Sequence, residues 1–141
     1  MESQESQRIV VTLVQRASDG VDVLQLADFV VAAWRTIEAS LSPIIGQRSV
    51  ATLYKRSSYL ASRDHPWLMD LHEGMQATMD LDVLQAALLE QSSTEVAAGA
   101  GTALKMFYEV LTNLIGASLT ERLLRSVWAD LLPAPAQENS A

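Results

Sequence analysis

The chain has no cysteine, two histidines and four prolines, and aromatic residues make up only 6% of it. Without cysteine there is no disulfide, no thiolate metal site and no thiol nucleophile. Few prolines and six glycines leave too little turn chemistry for a sandwich or barrel, which needs a break roughly every ten residues. Long apolar runs are missing too. The longest, Phe29 to Trp34, is six residues, against the roughly 20 that a helix needs to cross a bilayer. The amino end, MESQESQR, has no basic stretch leading into an apolar core, so no secretory signal is read there and the expected location is cytoplasmic. Positive charge is also short: ten Lys and Arg stand against seventeen Asp and Glu, for a net charge of −7. Such a chain repels phosphate backbones, so neither nucleic acid nor a membrane is an expected partner.

What remains is helix-forming. Of 141 residues, 49% are hydrophobic, with Ala and Leu dominant, and both favour helix. The expected fold is an all-α, single-domain helical bundle of six or seven helices over residues 1–132. Residues 1–7 should fray, and 133–141 should be a flexible Pro/Ala-rich tail.

Punctuation sets the expected boundaries. Ile9, Val10, Leu13 and Val14 make one face of a short helix over 8–16, with Gly20 as a left-handed cap. Asp22-Val-Leu-Gln25 reads as a capping box ahead of a long helix over 23–41. Its stripe of Leu26, Phe29, Val30, Ala33, Trp34, Ile37 and Leu41 falls at steps of three and four. Ser42-Pro43 reads as a break, with Ser42 as N-cap and Pro43 opening a second long helix over 43–62. Pro66 opens a short helix ending near Gly74, with Asp64 and His65 as cap candidates, and 75–81 is a linker. Asp82-Val-Leu-Gln85, Ser92-x-x-Glu95 and Ser118-x-x-Glu121 repeat the box, ahead of helices over 83–91, 93–115 and 119–132. The last of the three longest helices is thus 93–115.

Leu41-Ser-Pro-Ile-Ile-Gly46 resembles Leu111-Thr-Asn-Leu-Ile-Gly116, seventy residues on. The two Asp-Val-Leu-Gln boxes are offset by sixty instead, which would need a ten-residue insertion in the second half. Capping boxes and Leu-Ile-Gly helix ends also recur for purely physical reasons, so the sequence leaves duplication open.

Charge is segregated. Residues 47–63 carry Arg48, Lys55, Arg56 and Arg63 and no acid. Residues 64–104 carry Asp64, Asp70, Glu73, Asp80, Asp82, Glu90 and Glu95 and no Lys or Arg. In one reading the arm neutralises the basic helix by folding back on it, with each surface pair worth little. Alternatively Arg48, Lys55, Arg56, Tyr59 and Arg63 form a partner site, because Arg and Tyr recur at interface hot spots.

Constellations for chemistry are thin. His65 and His72 stand seven apart near Asp64, Asp70 and Glu73, but Pro66 places His65 at or before a helix start, so the two need not share a face. There is no H-E-x-x-H. A globin needs a His facing an apolar pocket, and Asp70 and Glu73 beside His72 argue against that. The chain resembles phosphotransfer bundles in size and class. They follow an exposed mid-helix His with Lys and Gly, whereas His72-Glu-Gly74 has no Lys. Gly99-Ala-Gly101 follows no strand and has no Walker lysine. It reads as a small-residue face for close packing, or as one wall of a small pocket with Trp34, Ala103, Met106 and Phe107.

The leading expectation is therefore a non-enzymatic interaction or regulatory module. It would contact a protein partner or a second copy, as a homodimer, through the basic face of 48–63. The alternative is small-ligand sensing in an interhelical pocket near Gly99–Ala103. A metal- or haem-binding protein using His65 or His72 comes last. No cofactor is expected.

Overall fold

The structure, a computed structural model, describes residues 4–69 and 81–131, without the side chains of 4–7, 9, 126 and 128–131. Among these residues the fold is all-α, with no strand. Helix α1 is Gln4–Ser18, α2 Val23–Ile45, α3 Gln47–Ala61, α4 Leu81–Leu89, α5 Ser93–Ile115 and α6 Ala117–Leu131, with a 3-10 turn at Pro66–Leu68. Helix α1 begins inside the stretch expected to fray. The expected linker and the tail lie outside the described residues.

The caps explain the starts of the long helices. The Asp22 carboxylate accepts the Gln25 N–H at 2.9 Å, and Ser92 Oγ accepts the Glu95 N–H at 3.2 Å. Each such cap is worth about 1 kcal/mol. The other two boxes are not caps. Asp82 already lies within α4, and Gln85 reaches across to Asp28 at 2.9 Å. Ser118 and Glu121 lie within α6, which begins straight after Gly116.

Pro43 does not open a helix. It sits inside the last turn of α2, which runs on to Ile45. The missing N–H leaves the Ala39 carbonyl without its partner, but Ala39 is exposed, so water can take that place. The break falls at Gly46, with φ 92° and ψ 148°, and its counterpart at Gly116, with φ 94° and ψ 153°. Only glycine enters this backbone region readily. In both places hydrogen bonding resumes at once: Gly46 N–H donates to Ser42 and Gly46 C=O accepts from Val50, while Gly116 N–H donates to Thr112 and Gly116 C=O accepts from Thr120. One residue thus divides each helical run into 23 and 15 residues.

The run α2–α3 is repeated in α5–α6. Every buried residue of α2, at 26, 27, 30, 31, 33, 34, 37 and 41, has a buried counterpart seventy residues later in α5. The α2 cap Asp22 matches Ser92 in the same register, so no insertion is needed there and the sixty-residue spacing of the Asp-Val-Leu-Gln boxes is coincidence. Identities from α2 onward are few: Ala27/Ala97, Ala33/Ala103, Leu41/Leu111, Ile45/Ile115, Gly46/Gly116 and Leu53/Leu123. The packing scheme is unchanged when the halves are exchanged. Helix α1 lies on α5 and α4 on α2, α3 lies on α5 and α6 on α2, and α2 meets α5. Such an exchange is what a twofold relation between the halves requires, and the core is shared. Trp34 of the first half meets Tyr54 edge-on at 4.8 Å and Phe107 of the second half edge-on at 5.1 Å. Such pairs add about 0.5–1.5 kcal/mol each beyond area burial. Leu114 is 62% exposed, and its counterpart Ile44 is 57% exposed.

Candidate partner-binding face and the His65–Glu95–Trp67 junction

Helix α3 is anchored on one side by Val50, Leu53, Tyr54, Ser57 and Ala61, all buried. At 3.6 residues per turn, Arg48, Thr52, Lys55, Arg56 and Tyr59 fall on the opposite strip, about 100° wide, and Arg63 follows in the turn two residues past the helix end. Arg48, Arg56 and Arg63 are exposed, Lys55 is half-buried, and Tyr59 is 43% exposed. The three arginines have no ion pair among the described residues. Of the acidic arm, Asp64, Asp82 and Glu90 are exposed, and Asp70, Glu73 and Asp80 lie outside the described residues.

Glu95 is engaged elsewhere. It sits in the first turn of α5, and its Oε2 receives two side chains from the segment after α3. His65 Nδ1 is 2.5 Å away, and the Trp67 indole N–H donates at 2.8 Å. The indole N–H holds the Glu95 carboxyl below its ordinary value. Partial burial opposes that shift, and the His65 hydrogen bond and charge reinforce it. His65 precedes the 3-10 turn but makes no side-chain cap, contrary to the expectation from Pro66. Nothing in the spacing announces this junction, because its partners lie 28 and 30 residues apart.

The Gly99–Ala103 face is covered by the chain itself. A Cβ on Gly99 would stand 2.5 Å from Trp67 Cζ2 and 3.4 Å from His65 Cγ, and one on Gly101 would stand 3.1 Å from Val10 Cα of α1. The two glycines in mid-helix were the available signal: each costs about 1 kcal/mol relative to alanine, and a close neighbour compensates. Of the other pocket candidates, Trp34, Ala103 and Phe107 are buried in the core and Met106 is half-buried. The structure has a groove of about 200 Å³ elsewhere, lined by Arg16, Val21, Gln25, Leu26 and Phe29. There the Arg16 guanidinium stands 4.3 Å over the Phe29 ring. Phe29 is the counterpart of Gly99 in the seventy-residue register, so that position carries a ring in one half and leaves room for one in the other.

No group of three or more His, Asp or Glu suited to a metal occurs among the described residues. His72 lies outside them. No described helix is long and apolar enough to cross a membrane. Comparison with protein-family models, curated proteins and solved structures finds no match.

Proposed function

We propose that this chain is a non-enzymatic protein-interaction module whose contact surface is the outer strip of α3. One observation carries the reading: Arg48 and Arg56 stand exposed along a helix whose opposite side is locked into the core, Arg63 stands exposed in the turn after it, and none of the three has an ion pair among the described residues. Arginine forks bind carboxylates in two-point geometry, and the partly exposed Tyr59 supplies an aromatic contact among them. An acidic protein suits this strip. The ligand-sensing alternative has less support, because side chains of this chain fill the space before Gly99 and Gly101.

The test is photo-crosslinking in cells from Thr52, which lies on the strip, with Arg122, the α6 counterpart, as control. Thr52 should capture a discrete protein, and Arg56→Glu plus Arg63→Glu should abolish that capture without lowering the melting temperature. Capture at both positions alike, or capture indifferent to the charge reversal, would reject this surface.

A further inference from the structure

The internal repeat supplies a comparison that a single sequence otherwise lacks. Helices α3 and α6 have the same length, follow the same glycine break and lie on counterpart helices, α5 and α2. Their packing duties are alike, so what differs on their outer faces is not demanded by the fold. Seventy residues beyond Arg48, Arg56 and Tyr59 stand Ser118, Ser126 and Ala129. Only Lys55 has a cationic counterpart, Arg125. Opposite Thr52 stands Arg122, with Glu121 beside it. The basic ridge therefore belongs to α3 alone.

Its spacing is specific. Arg48 and Arg56 are eight residues apart on α3, hence about 12 Å along its axis, and Arg63 follows seven residues later in the turn beyond Ala61. Tyr59 lies between the last two and Lys55 beside the middle one. Carboxylates two turns apart on a partner helix repeat at that same interval. Duplex phosphates are opposed instead by the chain's net charge of −7. Among the described helices of this chain, none carries three acids without a base.

Resting on the reading of α3 as the contact surface, we infer that its partner is an acidic helix of another protein. That helix lies along α3 with carboxylates at two-turn intervals matched to Arg48, Arg56 and Arg63.

The test is an amide NMR titration of the full chain with a synthetic alanine-rich helical peptide bearing glutamates at two-turn spacing. A peptide of equal composition with its glutamates spread around the helix is the control, and single-stranded DNA is a second probe. Shifts should concentrate on residues 47–63. The spaced peptide should bind about tenfold more tightly than the control, as expected when three ion pairs form together rather than singly. The triple variant Arg48→Glu, Arg56→Glu and Arg63→Glu should lose that binding, and Arg122→Glu with Arg125→Glu should keep it. Equal binding of both peptides, shifts centred on α6, or DNA binding as tight as the spaced peptide would overturn the inference. So would concentration-dependent shifts on α3 without peptide, which would mark self-association. If Thr52 still captures a cellular protein while the spaced peptide fails, the surface stands and the partner class is wrong.

Discussion

The indole of Trp67 occupies the space that a side chain at Gly99 would fill: its Cζ2 stands 2.5 Å from the position of a Cβ there. Gly99 is therefore not a loose spot in α5 but the seat of the segment that follows α3. The first consequence concerns Gly99→Ala. The methyl group forces the indole outward and breaks its bond to Glu95. Stability should fall by about 1–3 kcal/mol, the usual cost of overpacking. Urea unfolding measures the loss, and Trp67 should become more accessible to acrylamide quenching.

Gly46 and Gly116 divide the helical runs by backbone conformation alone, since a Cβ at either would touch nothing within 4 Å. Gly46→Ala and Gly116→Ala should each destabilise the fold by about 1–3 kcal/mol, the cost of holding a non-glycine residue in that region. Alanine favours joining each pair of helices into one rod, so dimers exchanging α3 or α6 should rise with concentration. Thermal melts and light scattering check the two effects.

Thr120 is fully buried, and its hydroxyl has no hydrogen-bond partner among the described residues. Its counterpart Val50 is also fully buried. Thr120→Val removes an unsatisfied oxygen at nearly constant shape and places in the second half the residue that the first half already uses. Stability should rise by about 1 kcal/mol, the lower end of the desolvation penalty. A higher urea midpoint with an unchanged slope is the expected result.

The Glu95 carboxyl is held below its ordinary value of 4.5, first by the Trp67 N–H. Its folded-state pKa lies below the unfolded one. The stabilisation it brings is therefore fully present above the unfolded value and is lost as pH falls through the folded value. The gap in unfolding free energy between the native chain and Glu95→Gln should be visible at pH 6 and narrow below pH 4.5. Urea titrations across that range, read as the difference between the two proteins, isolate Glu95 from the other acids.

Composition and periodicity alone determined the fold class. Stripes at steps of three and four, the Asp22 and Ser92 caps and the scarcity of turn residues require a helical bundle whatever its topology. The α3 strip was legible too, because helical spacing places Arg48, Arg56, Tyr59 and Arg63 together, and buried anchors on the far side leave them outward. The tertiary structure decided the rest. Pro43 looked like a helix start, yet Pro tolerates a last turn with an exposed carbonyl, and only a positive φ at glycine forces the break. The seventy-residue register was faint in sequence because packing preserves the burial of a position, not its residue, so Trp34 and Ile37 stand where Leu104 and Phe107 recur. His65, Trp67, Glu95 and Gly99 met only because two segments far apart in the chain pack together. No local rule carries that information, since the contact exists only once the core has closed.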